Sequence, residues 1–221
     1  MSDADNATTE ARIPNLPREE WTDAARDVFA FWGEPNAREE GSGVNFVMAM
    51  ATHPDLANGY NILGKHFLMS NTLAVRQLEL LILRVAWNVK SEYEWHNHIG
   101  YALNAGITLE EIAALKEDVS AHDWDDLDAA VISAVDQIVA KGNIDDDLWA
   151  RLSKHYDKKQ MMDLIFSTGF YVMTSWGLSI MQVGMESPDP IGFDLKTKSG
   201  KTPGKTYKPG ETEDWIETRD Y

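Results

Sequence analysis

Apolar residues recur at helical spacing along the chain from Pro17 to Glu186, and no stretch shows the two-residue alternation of an amphipathic strand. The first predicted helix begins near Pro17 and continues until Gly33 ends its pattern. Further helices are predicted over residues 44–52, 55–70, 74–90, 91–104, 125–141, 145–155 and 158–185. Thr108 and Glu111 are predicted to form a capping box at the beginning of one more helix. The sequence therefore predicts an all-α fold.

The predicted helix over residues 74–90 is apolar on nearly every face, which distinguishes it from the others. A helix of this kind is normally buried on all sides, either by its own domain or by another subunit. We expect it to be the central helix. In the predicted helix over residues 55–70, one side carries Leu56, Tyr60, Leu63, Phe67 and Leu68. On the last helix, we expect three large residues to belong to the core, unless one or two of them line a pocket: Tyr171, Met173 and Trp176.

The composition changes after Glu186, where prolines, glycines and five lysines between Lys196 and Lys208 replace the helical pattern. This long irregular C-terminal tail, residues 187–221, is either disordered or an arm laid across a neighbour. Its apolar residues favour the arm: Phe193, Tyr207, Trp215 and Ile216. We predict a disordered N-terminus over residues 1–12 and one helical domain over residues 13–186.

The formal net charge of −16 makes nucleic acid and anionic membranes improbable partners, because both attract clustered Lys and Arg. The chain contains no cysteine, which removes disulfides, thiolate metal sites and sulfur nucleophiles. Residues 1–10 do not resemble a secretory signal, and charges and glycines interrupt the longest apolar stretches. We therefore expect a cytoplasmic protein with no membrane partner.

Candidate chemistry is concentrated where Glu94 and His98 are four residues apart on one face of a predicted helix. A buried carboxylate beside an imidazole can orient the ring and tune its pKa for proton transfer. The same helix is expected to expose Glu92 and His96 to solvent. The structural alternative is that Ser91 and Glu94 form a capping box and that His98 only packs against its neighbours.

Glu79 is a second candidate because it lies within the apolar helix, where an unpaired carboxylate would be costly to bury. It must be exposed, partly protonated, or paired with Arg76 or His98. No metal is expected, since the two imidazoles of the H-x-H pattern diverge on a helix and no H-E-x-x-H motif is present. Nucleotide and esterase motifs are absent too, so no cofactor is predicted.

The run from Arg76 to Gly106, R-Q-L-E-L-L-I-L-R-V-A-W-N-V-K-S-E-Y-E-W-H-N-H-I-G-Y-A-L-N-A-G, resembles the carboxymuconolactone decarboxylase family, relatives of the AhpD-type alkyl hydroperoxidases. In the peroxidase branch a glutamate is followed by C-x-x-C and a histidine. Here Glu79 and His98 match the acid and the imidazole, while Ser91 and Glu94 stand at the cysteine positions. Without sulfur, peroxide reduction by a dithiol is excluded.

The resemblance implies an AhpD-like helical bundle that assembles as a homo-oligomer, a trimer or a hexamer, with the site bounded partly by a neighbouring subunit. It also implies a cofactor-independent lyase that decarboxylates a small lactone of aromatic catabolism. His98 would transfer the proton, Glu94 would orient it, and Glu79 would be a second acid or base. Candidate substrate-binding residues are Ser91, Arg76, Arg84 and Trp95. Lactone isomerisation, lactone hydrolysis and non-catalytic binding of a small molecule remain alternatives.

Overall fold

A computed structural model of the chain describes residues 11–187 and 192–193, together with the backbone of 196–197 and 216–217. The described residues form α1 (Asp23–Ala30), α2 (Ala37–Glu40), α3 (Asn45–Met50), α4 (Pro54–Met69), α5 (Val75–Val89), α6 (Glu92–Asn104), α7 (Leu109–Ala114), α8 (Asp126–Lys141), α9 (Asp146–Leu152), α10 (Lys158–Met181), β1 (Lys196–Thr197) and β2 (Ile216–Glu217). Apart from this two-residue antiparallel strand pair, the regular structure is helical, so the all-α prediction is confirmed.

The described residues separate into two compact units. The first contains the residues up to Gly64 together with Gly177–Glu186, and the second contains Lys65–Trp176 with the described residues from Ser187 onward. The predicted limits of the helical domain, 13–186, stay a prediction. Of the predicted disordered N-terminus, residues 1–12, the first ten lie outside the described part of the chain.

In the first unit, α1 begins later than predicted. The backbone of Thr22 is extended, and its hydroxyl accepts a hydrogen bond from the Ala25 N–H at 3.2 Å. A threonine in this position satisfies the first free N–H groups of a helix, so the helix begins at Asp23. Before it, only Arg18–Glu20 form a single 3-10 turn. Trp21, between the two, packs its ring against Phe29, with 4.8 Å between ring centroids.

In the second unit, α5 is the central helix, as predicted. Leu80, Leu81, Ile82 and Leu83 are completely buried. The helices that pack most closely against it are α6 and α8, which belong to the same chain. The all-round apolar pattern of α5 is therefore accounted for by burial within its own unit.

The connection from α5 to α6 is unusually short. Only Lys90 and Ser91 separate the two helices, and Lys90 has a left-handed backbone with φ 61° and ψ 43°. The Ser91 N–H then donates to the Ala86 carbonyl at 2.9 Å, which closes the end of α5. This turn fixes how α6 lies against α5.

The large apolar residues of α4 and α10 are only partly buried. In α4 the buried positions are Ala57, Asn61, Gly64 and Phe67, while Leu56, Leu63 and Leu68 are exposed. In α10, Tyr171 is buried, but Met173 and Trp176 are exposed, so the prediction that they belong to the core is wrong. Other residues occupy the buried positions of each helix. An apolar side chain on a long helix therefore does not by itself show which side of the helix is buried.

Among the described residues, α10 is also the one helix long and apolar enough, by length and composition, to cross a membrane. Asp163, Ser167 and Thr168 on this helix are buried, and the Asp163 carboxylate accepts hydrogen bonds from the Thr72 backbone N–H and hydroxyl. Burial of polar groups with partners in the same chain is the packing of a core helix.

The predicted C-terminal arm is described at two places. The first is Gly192 and Phe193, where the Phe193 ring packs against Trp87 and Trp95 at centroid distances of 5.2 and 5.3 Å. The second is the strand pair, in which Lys196 is opposite Glu217. Both belong to the second unit of the same chain. Tyr207 and Trp215 lie outside the described residues.

Candidate active site

His98 is buried between two glutamates from two different helices. Its Nδ1 atom lies 2.8 Å from Oε2 of Glu79, and its Nε2 atom lies 3.4 Å from Oε2 of Glu94. All three side chains are less than a tenth exposed. The structure therefore brings together the three residues that the sequence singled out for catalysis.

Helix geometry explains how these side chains meet. Glu94 and His98 are four residues apart on α6 and share one face. Glu79 reaches them from α5, the helix against which α6 packs. The sequence could show that Glu79 needed a partner, but it could not decide between Arg76 and His98, because that depends on the angle between α5 and α6.

The two carboxylates control the charge of the imidazole. Burial by itself would lower the pKa of His98, because a charged group loses its hydration. The charge of Glu79, its hydrogen bond, and the contacts of Glu94 outweigh burial and raise the pKa of His98 to about 10. At neutral pH the ring therefore carries a proton on both nitrogens.

Two tyrosine rings complete the surroundings of His98. Tyr101 lies on α6 with its ring centroid 5.6 Å from that of His98, and Tyr171 lies on α10 at 5.5 Å, edge to face. Tyr171 is buried, whereas Tyr101 is 43% exposed, so the site reaches solvent beside Tyr101. Burial and the charge of Glu79 raise the pKa of Tyr101.

These tyrosines were not among the predicted site residues. The position of Tyr101, three residues after His98, was a usable signal. No local pattern connects Tyr171 to a histidine 73 positions earlier.

A comparison with known protein families finds a match in the part of the chain that contains the site. The model of the carboxymuconolactone decarboxylase family matches residues 54–136, a range that contains all three members of the Glu79, Glu94 and His98 cluster. Residues 54–136 belong to the carboxymuconolactone decarboxylase family. No curated protein sequence matches the chain.

Solved structures show the same fold at low sequence identity. An uncharacterized peroxidase-related protein from Silicibacter sp. TM1040 is 15% identical, with a TM-score of 0.64 over 80% of this chain and 94% of that chain. A protein from Ralstonia eutropha JMP134, described as an alkylhydroperoxidase AhpD core, is 12% identical, with a TM-score of 0.63 over 78% and 92%. The debrominase Bmp8, in complex with 2,3,4-tribromopyrrole, is 15% identical, with a TM-score of 0.61 over 81% and 94%. The fold of this chain is thus AhpD-like.

Ser91 does not cap α6, so the alternative prediction of a capping box formed by Ser91 and Glu94 is wrong. It precedes α6 without making a side-chain cap hydrogen bond. Its hydroxyl is buried and has no hydrogen-bond partner among the residues that the structure describes. Glu94, the other member of the expected capping box, is directed to His98 instead. A buried hydroxyl in that state can donate to an oxygen atom of a bound molecule.

The two candidate arginines are held by other partners. Arg76 binds the carboxylates of Glu111 and Asp128, so the predicted alternative of an Arg76–Glu79 pair is wrong. Arg84 binds Asp136 and the backbone carbonyls of residues 115 and 117. Both guanidinium groups connect α5 to later segments of the second unit, and their assignment to substrate binding gains no support from these contacts.

The remaining predictions on α6 concern Trp95 and His96. Trp95 is completely buried, and its indole N–H donates to the Gly192 carbonyl at 3.1 Å. His96 is only 2% exposed, so the expectation of a solvated Glu92–His96 pair is wrong for the histidine, while Glu92 is exposed.

Within the described residues, no group of three or more His, Cys, Asp or Glu side chains is arranged to hold a metal ion. The histidine and glutamates of the site contact one another directly. The acid–base groups that the structure brings into contact are the imidazole of His98 and the carboxylates of Glu79 and Glu94.

Proposed function

We propose that this protein is a cofactor-independent lyase that decarboxylates a small carboxylated lactone of aromatic-compound catabolism, with His98 as the proton donor. The observation that carries the proposal is the buried imidazole held in its charged form by Glu79 and Glu94. A general acid is the group that such a reaction requires once CO2 has left.

In the proposed decarboxylation, the bond between the ring carbon and the carboxylate breaks and CO2 departs. The electron pair moves into the conjugated lactone carbonyl to form an enolate. A donor near the enolate oxygen stabilises this charge, and the unpartnered Ser91 hydroxyl is the proposed donor. A proton from His98 then returns to carbon, and solvent restores the proton on the imidazole.

The two nitrogens of His98 have different roles in this scheme. Glu79 holds Nδ1 at 2.8 Å and is the orienting carboxylate, whereas the contact of Nε2 with Glu94 is longer, at 3.4 Å. The proton on Nε2 is therefore the one offered to the substrate. Glu94, beside it, is the proposed route by which that proton is replaced.

Lactone isomerisation is a second candidate because it would use the same groups. An imidazolium and a carboxylate on one face of α6 form a donor and an acceptor, which can move a proton between two carbons. The similarity in fold to Bmp8, which was solved with a halogenated pyrrole, supports a small cyclic compound as the ligand in either case.

The test measures CO2 release and loss of ultraviolet absorbance with carboxymuconolactone, for the wild type and for His98→Gln. We expect turnover by the wild type and a loss of at least about a hundredfold in the variant. His155→Gln is the matched control, since His155 Nε2 also contacts a carboxylate, Asp126, at 2.7 Å but near the surface. Circular dichroism verifies that both variants fold.

Each outcome has a distinct meaning. Full activity in His98→Gln would remove His98 from the mechanism. Conversion of the lactone without CO2 release, followed by NMR of the product, would favour isomerisation or hydrolysis. Saturable binding of the lactone without any turnover would identify a non-catalytic binding protein.

A further inference from the structure

The Phe193 ring lies across the turn that joins α5 to α6. It contacts Trp87, in the last turn of α5, at a centroid distance of 5.2 Å. It also contacts Trp95, in the first turn of α6, at 5.3 Å. One side chain from the C-terminal part of the chain therefore touches both helices that supply the histidine and glutamates of the candidate active site.

Two hydrogen bonds hold the backbone of the same segment, which we call the C-terminal clamp and define as Gly192 and Phe193. The indole N–H of Trp95 donates to the Gly192 carbonyl at 3.1 Å. The ammonium of Lys116, just beyond α7, donates to the Phe193 carbonyl at 2.9 Å. Both bonds use main-chain carbonyls, so they fix the clamp whatever side chain residue 193 carries.

The turn itself is also in contact with the aromatic rings. Lys90 has a left-handed backbone, which is uncommon for a residue that has a Cβ atom. Its ammonium lies 3.3 Å from the centroid of the Trp87 ring and 5.9 Å from that of Phe193. A cation over an aromatic face is attracted to it. The rings on either side of this contact therefore help to hold the turn in its unusual conformation.

The clamp lies at the edge of the hydrophobic core of the second unit. Trp95 is completely buried in a cluster that includes Leu80 and Leu83 of α5, whereas Phe193 is only partly buried against this cluster. Loss of the Phe193 ring should therefore remove a cover from the α5–α6 turn while the interior of the cluster remains packed.

The site depends on how the two helices are placed. Glu79 on α5 and His98 on α6 approach to 2.8 Å between Oε2 and Nδ1, and Trp95 lies one helical turn before His98. A hydrogen bond between side chains of two helices lengthens when one helix moves relative to the other. Contacts that fix the beginning of α6 therefore also fix this pair.

We propose that the C-terminal clamp is a positioning element of the candidate active site: Phe193 fixes the beginning of α6 against the end of α5 and so keeps His98 within hydrogen-bonding distance of Glu79. Trp95, whose indole N–H is bound to Gly192, is then a positioning residue and not a ligand for the substrate. The inference rests on the proposed function for its effect on turnover, but not for its effect on the protonation of His98.

The pKa of His98 reports the distance between the helices. The titratable groups that contact its ring are Glu79 from α5, Glu94 and Tyr101 from α6, and Tyr171 from α10. Of the two carboxylates, only that of Glu79 changes its distance when α6 moves relative to α5. Lengthening a charge pair from about 4 to about 5 Å, at an effective dielectric constant near 20, lowers the pKa by about half a pH unit.

The first test measures the pKa of His98 by NMR titration in Phe193→Ala. We expect it to lie at least about half a pH unit below the wild-type value, and to recover in Phe193→Tyr, which keeps the ring. Trp124→Ala is the matched control, because Trp124 is also partly buried against the same cluster but has its ring contact with His122. An unchanged pKa in Phe193→Ala, or an equal fall in Trp124→Ala, would overturn the inference.

Lys116→Met is a second, milder variant, and it decides the question if Phe193→Ala does not fold. It removes only the hydrogen bond to the Phe193 carbonyl. Loss of a positive charge would by itself raise the pKa of His98, so a fall in this variant reports movement of the helices. A pKa that is unchanged or raised in Lys116→Met counts against the clamp.

The second test measures amide hydrogen exchange at the turn. The Ser91 N–H donates to the Ala86 carbonyl at 2.9 Å, and the Trp95 N–H donates to the Ser91 carbonyl at 3.1 Å. Both should exchange at least about tenfold faster in Phe193→Ala than in the wild type, because local opening no longer has to displace the ring. Equal exchange in the two proteins would show that the ring does not hold the turn.

The third test compares turnover of carboxymuconolactone. We expect kcat to fall by roughly tenfold in Phe193→Ala with little change in KM, since a displaced proton donor slows the chemical step. Trp124→Ala should keep the wild-type kcat, and full kcat in Phe193→Ala would refute a role for the clamp in the site. A wild type without turnover would refute the proposed function instead, and the pKa and exchange measurements would still decide the inference.

Discussion

Replacing Glu79 with glutamine should change the protonation of His98 more than any other single substitution at the site. The variant keeps the shape of the side chain and removes the charge whose oxygen lies 2.8 Å from Nδ1. Two unit charges about 4 Å apart interact by roughly 4 kcal/mol at an effective dielectric constant near 20. At 1.36 kcal/mol per pH unit, the pKa of His98 should fall by roughly 3 units. That moves it from about 10 to near neutrality.

The measurement is an NMR titration of the histidine ring carbons from about pH 5 to 11, a range that spans the usual and the raised pKa of histidine. The chain has six histidines, and comparison with His98→Gln assigns the resonance of His98. Glu94→Gln is the matched variant, and it should lower the pKa by less, because the contact of Glu94 with the ring is longer at 3.4 Å. Both glutamates are buried and both substitutions are isosteric.

Two results would refute the reasoning. A wild-type His98 that titrates near its usual value of about 6.5 would mean that the carboxylates do not hold the ring in its charged form. An equal or larger fall in Glu94→Gln would mean that the nearer carboxylate is not the dominant one. The first result would remove the physical basis for His98 as a general acid, and the second would overturn the assignment of Glu79 as the carboxylate that controls its charge.

Two further predictions concern stability. The free energy of unfolding should fall as the pH rises from about 6.5 toward 10, because the folded protein retains a proton on His98 that the unfolded chain releases. Urea titrations across this pH range measure the fall in the free energy of unfolding. In Glu79→Gln this fall should be complete at a lower pH. A free energy of unfolding that rises with pH would contradict the prediction. Arg84→Ala should destabilise the protein by about 3 kcal/mol in thermal and urea unfolding, because it leaves a partner of a largely buried ion pair without its counter-charge. The control Arg151→Ala, which removes an exposed pair, should cost less than about 1 kcal/mol, and equal losses would refute the distinction.

The fold could be predicted where the information is local. The capping box of Thr108 and Glu111 is present, with each side chain accepting from the other's backbone N–H. The all-round apolar pattern of residues 74–90 correctly identified the central helix, since no exposed helix has that composition. The late start of α1 also has a local cause, which is the extended backbone of Thr22 before the helix. The sequence did not reveal it, because the helical spacing of apolar residues continues through this position.

The candidate site could be predicted as a set of residues but not as a set of contacts. Spacing placed Glu94 beside His98, and the cost of burying a carboxylate indicated that Glu79 needed a partner. The choice between Arg76 and His98 depended on tertiary packing, as did the contact with Tyr171.

The turn of two residues between α5 and α6 also constrains how this protein can vary in length. Inserting or deleting one residue at Lys90 or Ser91 would rotate α6 by about 100° about its axis, since a helix has 3.6 residues per turn. His98 would then face away from Glu79, although every residue of the site would still be present. The separation of 19 positions between the glutamate and the histidine is therefore part of the site itself. Length changes that leave the fold intact should be confined to connections such as the one between α8 and α9, where no site residue depends on the register.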